Sequence, residues 1–199
     1  MFDVQRFTEQ CQAALKESDP AKAIRETVER TVSAPSEVLK GLGEPQRATV
    51  QRLHVADDLT IINVIWGPHM TIMPHNHKIP AIIGVYTGAE DNIFWRRTGD
   101  SSGLIKAAGA RSLREKDVEA LGADAIHSVT NPILRLTGAI HVYRKKRARR
   151  RSTTAITRIS SRASGRSCTE RVRSRSVTDA ARVGVSAGRT THARRAFGA

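Results

Sequence analysis

Met73-Pro74-His75-Asn76-His77 is the stretch whose reading decides the fold. Two histidines two residues apart on a strand project to the same face, because strand side chains alternate with a period of two; a helix would splay them. The flanks read as strand, with Trp66-Gly67 before the pair and Ile82-Ile83-Gly84-Val85-Tyr86 after it. Two imidazoles on one face can grip a single metal ion when a third ligand comes from elsewhere. Taken alone, His-x-His is a weak motif, and two ordinary histidines at a strand end is the plainer reading.

Outward from this pair the pattern remains β. Ala48 to His54 is β-prone, Leu59 to Trp66 is densely apolar, and Asp57-Asp58 marks the turn between them. After the pair come Ile79 to Thr87, a turn containing Gly88, and Asn92 to Arg97. Shorter strands fit Leu104-Ile105, Ala110 to Arg114, Ile126 to Thr130 and Leu134 to Tyr143. Many short strands with frequent turns predict a sandwich or barrel. Glu90-Asp91 reads as a solvated turn and Arg96-Arg97 as an exposed strand end. Trp66, Phe94 and Trp95 read as core, His54 and His192 as bland, and His69, near the pair in sequence, as a loop or rim histidine.

Upstream of the strands the spacing is helical. Phe2, Phe7, Cys11 and Leu15 recur on one face; Asp19-Pro20 supplies an N-cap followed by a proline at the first helical position. Ile24, Val28 and Val32 line the next face, and Ser33-Ala34-Pro35 restarts a short segment ended by Gly41-Leu42-Gly43. These helices carry no chemical signature, and packing against a sheet is their expected role.

The 199 residues suffice for one domain with a real core. There is no apolar run long enough for a membrane helix and no signal-peptide pattern at the N-terminus. Cys11 and Cys168 make no disulfide framework, so a reducing cytoplasm is the expected location. The net charge of +14 is unevenly spread: residues 1–143 hold 16 basic and 17 acidic residues, whereas residues 144–199 hold 17 basic and 2 acidic. That tail has no Leu, Trp or Tyr and a single Phe, so it is expected to be disordered. Lys145-Lys146-Arg147 and Arg149-Arg150-Arg151 would suit a nucleic-acid arm, the one place where nucleic acid could bind. The favoured alternative is a frameshift past codon 143, since GC-rich DNA read out of frame yields Arg, Ala, Ser, Gly and Thr.

A third ligand is offered by His127, 50 residues beyond His77, in Ile126-His127-Ser128-Val129-Thr130-Asn131. His, three intervening residues and then Asn is similar to the end of the second cupin motif. The first cupin motif carries a Glu four or five residues after its second His; here those positions are Ala81 and Ile82. The site would therefore be three neutral imidazoles, leaving the full charge of a divalent cation uncompensated and favouring an anionic guest such as a thiolate.

MPHNHKIPAIIGVYTGAEDNIFWRR, IHSVTNP and LTGAIHVY together resemble the thiol dioxygenases of the cupin superfamily, the cysteine dioxygenase group. Still closer is the resemblance to bacterial predicted metal-dependent enzymes with a double-stranded β-helix. It covers about residues 51–143. It implies an all-β cupin barrel, placed at 46–143, to which the residue patterns add N-terminal helices at 1–45 and a basic tail at 144–199 where the family normally continues with an aromatic, acidic segment. It also implies one Fe(II) on His75, His77 and His127, with a small thiol of the cysteine or mercapto-acid type and O₂ as substrates and a sulfinic acid as product. The family's Ser-x-His-x-Tyr stretch is here Ala139-Ile140-His141-Val142-Tyr143, so His141 and Tyr143 match and the serine does not. Arg52 is the match for the family's carboxylate-binding arginine. The cysteine that crosslinks to tyrosine in animal members would fall at Ile82, so no such crosslink can form and cysteine itself is not the indicated substrate. A cupin that binds metal or a small molecule without turnover is the alternative.

Overall fold

The computed structural model describes residues 1–99 and 102–145. Three helices come first: α1 (Val4–Ala14), α2 (Pro20–Val32) and α3 (Pro35–Leu42). Asp3 and Asp19 cap the first two, accepting from Arg6 N at 2.7 Å and Lys22 N at 3.1 Å, and so satisfy amides that have no partner within the helix. Pro20 and Pro35 open α2 and α3, where the missing N–H costs nothing.

Nine strands follow: β1 (Thr49–Val55), β2 (Leu59–Trp66), β3 (Thr71–His75), β4 (Ala81–Thr87), β5 (Ala89–Arg97), β6 (Ile105–Arg114), β7 (Val118–Leu121), β8 (Ile126–Thr130) and β9 (Thr137–Arg144). They form two antiparallel sheets, ordered β1-β2-β9-β4-β7 and β3-β8-β5-β6. With β1 set aside as an added edge, the pairing is nested: β2 with β9, β3 with β8, β4 with β7, β5 with β6. That is the strand order of a double-stranded β-helix, the jelly roll of cupins. The expected all-β cupin barrel with N-terminal helices is the fold observed.

β2 is apolar throughout because both of its faces are covered. Leu59, Ile61 and Ile65 pack with Phe7, Cys11, Ile24, Val28 and Val32 of the helices. Val64 and Trp66 turn the other way, onto Val129, with Ile62 and Ile72 beside them. Gly84 on β4 lets α2 approach: an added Cβ would lie 2.5 Å from Val28 Cγ1 and 2.8 Å from Val32 Cγ1. Asn63, buried on the helix side of β2, accepts from Tyr86 Oη at 2.9 Å and donates to Gln51 Oε1 at 2.8 Å.

Several elements differ from the sequence reading. The two short strands expected at Leu104-Ile105 and Ala110 to Arg114 are one strand, β6, paired along β5. β7 was not expected. β5 begins at Ala89, because Gly88 (φ 85°) makes the preceding turn by itself. β9 begins at Thr137, because Asn131 holds the segment before it in a loop: its side chain donates to Gly67 O at 2.9 Å and Arg135 O at 2.8 Å and accepts from Ile133 N at 3.1 Å. After Tyr143 the chain stays in the barrel for two more residues, with Arg144 N donating to Pro80 O at 3.2 Å and Lys145 N to Asp58 O at 3.0 Å. The basic arm expected beyond lies outside the described residues, as do Cys168 and His192.

Candidate metal centre

The cluster is built at one end of the β3–β8 pair. Ile72 stands opposite Val129, and three residues later His75 stands opposite His127, only two residues back on β8. The extra residue on β3 is a bulge, and Pro74, which has no N–H to leave unpaired, sits in it. The bulge lets Ile72 and His75 face the same cavity although they are three apart. His77 is not on the strand, contrary to the sequence reading. β3 ends at His75, and the loop after it folds His77 back. The ring centroids of His75, His77 and His127 lie 5.0, 4.7 and 5.1 Å apart pairwise. One ligand nitrogen from each falls within 4.8 Å of the others, so the three can hold one metal ion.

The donor set fits a cation. His75 Nδ1 lies 2.8 Å from Met73 O, and a carbonyl only accepts, so Nδ1 carries the proton and Nε2 is left as a lone pair. His127 Nδ1 likewise donates to Asn92 Oδ1 at 2.9 Å. This is the outer-shell arrangement that fixes the tautomer of metal-binding histidines. The Nε2 atoms of His77 and His127 are 2.9 Å apart. Two nitrogens about 2.0–2.1 Å from one metal, at about a right angle, would be separated by about that distance. Burial, reinforced by the neighbouring imidazoles, pushes His127 down to about 4, and burial with the charge of His75 lowers His77. Both are therefore neutral at pH 7, with lone pairs free of protons.

His141 and Tyr143 stand beside the cluster on β9. His141 Nδ1 and Tyr143 Oη are 3.2 Å apart and share a hydrogen bond. The Tyr143 ring lies 5.1 Å from that of His77. His141 is pushed down to about 3 by burial and then by the three imidazoles, and its Nε2 is buried with no partner. Tyr143 is raised to about 12, chiefly by burial. Ala139, where the family's serine would be, packs among Ala81, Ile83, Val85, Leu113 and Leu121, so no hydroxyl is available there to bond His141.

Arg52 is placed differently. Its β1 register sets it opposite Ile62, which is itself opposite His141, so all three share a face of the sheet. Yet β1 is the edge strand and Arg52 is exposed; it does not line the cavity. His69, at φ 56°, is exposed and away from the cluster.

The sequence reading missed the groups behind His127. Glu90 is not in a solvated turn: it is the second residue of β5, fully buried, and accepts from Trp66 Nε1 at 2.6 Å. Its carboxyl is pushed up to about 7 by burial, against the pull of the Trp66 hydrogen bond. Glu90 Oε2 and Asn92 Nδ2 are both buried without a hydrogen-bond partner. The signal was the alternation Glu90, Asn92, Phe94, which puts these three on the inner face of β5 with His127 opposite Phe94.

A cavity of about 320 Å³ opens over the cluster. Ile62, Val64, Ile72, Val129, Met70 and Trp66 form most of its wall, and the three clustered histidines, His141 and Tyr143 its polar end.

Fold and site together define a cupin-type barrel with a candidate mononuclear three-histidine centre. No family model matches the chain. Among solved structures it is similar to a RmlC-like cupin family protein with a double-stranded beta-helix fold from Methanocaldococcus jannaschii (8% identity, TM-score 0.42, covering 51% of this chain and 84% of that one). It is also similar to a cupin superfamily protein from Desulfitobacterium hafniense (12% identity, TM-score 0.41, 52% and 83%). A third is a Cupin 2 conserved barrel domain protein from Salinispora arenicola (19% identity, TM-score 0.39, 49% and 76%). Likenesses of this depth add nothing to what the strand order shows. No helix among the described residues is long and apolar enough to cross a membrane.

Proposed function

We propose that the chain is a non-haem Fe(II) thiol dioxygenase that converts a small thiol and O₂ into a sulfinic acid in the cytoplasm. The balance is R–SH + O₂ → R–SO₂H: sulfur loses four electrons, O₂ gains them, and both oxygen atoms end on sulfur. The observation that carries the reading is the convergence of His75, His77 and His127, with no carboxylate among them, beside the hydrogen-bonded His141–Tyr143 pair.

Three neutral ligands leave a divalent cation its whole charge, which favours a thiolate as the added ligand. When bound, Fe(II) supplies a Lewis-acidic, redox-active centre where thiolate and O₂ can meet. The protein's own part is to hold and orient. His75 and His127 are locked with Nε2 inward by Met73 O and Asn92 Oδ1. Tyr143, protonated at neutral pH, and His141, neutral there, offer a donor and an acceptor to a guest at the polar end of the cavity. Arg52 would have to reach in from β1 to pair with a substrate carboxylate.

A second reading, a cupin that binds metal or a small molecule without turnover, is favoured by Ala139, which leaves His141 without the family's hydroxyl partner. Metal analysis and oxygen uptake with a panel of thiols separate the two. Purified protein should carry about one iron per chain and His127→Ala should lose it. Tyr143→Phe should keep the iron and lose most of the oxygen uptake. An iron-loaded wild-type protein that consumes no oxygen with any thiol would leave the second reading standing.

A further inference from the structure

The cavity also bears on which thiol it takes, an inference that rests on the metal-centre reading above. Among the described residues, no Lys, Arg, Asp or Glu lines the cavity. Its wall is hydrocarbon on both sheets, from Ile62 and Val64 on one to Ile72 and Val129 on the other, with the Trp66 indole between. Besides Thr49 and the Trp66 indole N–H, which Glu90 engages, the polar side chains lining it are the four histidines and Tyr143. A guest carrying a carboxylate or ammonium would lose water there and find no opposite charge, and burying an unpaired charge is strongly unfavourable. Arg52, exposed on the edge strand, is not in the wall to offset that loss.

The imidazoles do not supply the missing charge either. His75, His77 and His127 would be taken up as ligands, and a cation held by them is already the partner of the thiolate. The volume of about 320 Å³ is on the order of ten waters, room for about ten non-hydrogen atoms. We propose that the site selects a monofunctional apolar thiol, a sulfur head on a hydrocarbon body, over amino-acid and mercapto-acid thiols.

The test is calorimetric titration of the full-length, Fe(II)-loaded protein under anaerobic conditions with butane-1-thiol and with 3-mercaptopropionate, which differ chiefly in the carboxylate. Butane-1-thiol should bind at least tenfold more tightly, about 1.4 kcal/mol. Val50 lines the cavity yet is largely exposed, so an arginine can be placed there without burying it; in Val50→Arg the preference should shrink toward equality. Equal or tighter binding of 3-mercaptopropionate by the wild type overturns the proposal, as does a ratio unmoved by Val50→Arg or absence of binding by both thiols. Iron measured on the same samples separates the failures. Lost selectivity with about one iron per chain removes the substrate class alone, whereas protein that takes up no iron removes the centre and the substrate class together.

Discussion

Replacing Glu90 by Gln tests the buried carboxyl at the back of the site through the pH dependence of stability. Glu90 is fully buried, one of its oxygens has no partner, and burial raises its carboxyl from 4.5 to about 7. The folded chain thus holds this proton more tightly than the unfolded chain does. As pH rises from about 4.5, the unfolded state sheds the proton first, and stability falls until the folded state sheds it too, near pH 7. Above that the loss is complete, on the order of 3 kcal/mol. Gln keeps an oxygen to accept from the Trp66 indole and cannot ionise. His127 and His141, lowered to about 4 and about 3, contribute in the opposite sense, since stability is lost as pH falls below 6.5 and they charge on unfolding. That contribution is common to both proteins and cancels in the difference. Glu90→Gln should therefore be more stable than wild type by an amount that grows by about 2 kcal/mol between pH 5 and pH 8. For a chain of this size that is a Tm gap widening by roughly 4–8 °C. Urea unfolding of the metal-free proteins at pH 5, 6, 7 and 8 reads it directly. A gap that does not change with pH, or a variant less stable than wild type at pH 8, refutes the account of Glu90 as a desolvated carboxyl.

Two further outcomes follow from single contacts. Asn92→Ala removes the acceptor for His127 Nδ1–H and should weaken metal binding about 10–100-fold in a chelator competition, while the metal-free protein loses about 1–3 kcal/mol for the buried N–H left unpaired; unchanged affinity would mean that the tautomer is fixed otherwise. Gly84→Ala should lower stability by about 1–3 kcal/mol, because the new methyl meets Val28 and Val32 where α2 crosses β4. Thermal melts check it, and the metal content should not change.

The features that were legible in the sequence are those written locally. Asp19-Pro20 states a helix start in two residues, and α2 begins there. β2 and β8 match their expected bounds because β2 is a densely apolar run and β8 a short stretch closed by Asn131-Pro132. His127 was legible because Ile126 to Asn131 carries the ligand and the loop-forming asparagine together. What failed depends on contacts made across the fold. Glu90 stands next to a turn glycine, and only the Trp66 indole, 24 residues earlier, shows why a carboxyl is tolerated inside. His77 shares the site because its loop folds back, and His75 faces His127 because of a bulge; neither follows from a period of two. Arg52 shows the limit of alternation: it shares a face with His141, but a face is enclosed only where another layer covers it, and at the edge strand none covers Arg52.

The charges around the cluster fit together only when a cation is counted. Without one, three imidazoles crowd within 4.7–5.1 Å of each other, and the neighbouring rings disfavour protonation of His77 and His127. Protonating them costs burial and repulsion; pairing them with one another would join at most one N–H to one lone pair, as His77 and His127 do at 2.9 Å. Behind them Glu90 is held near neutrality by the same burial, with Asn92 between it and His127. A divalent ion at the cluster would relieve both: the inward lone pairs would hold it, and its field would lower the cost of ionising Glu90. Three neutral ligands would leave such an ion its charge for an anionic guest, with Glu90 set behind Asn92; a carboxylate among the ligands would take up that attraction within the protein itself.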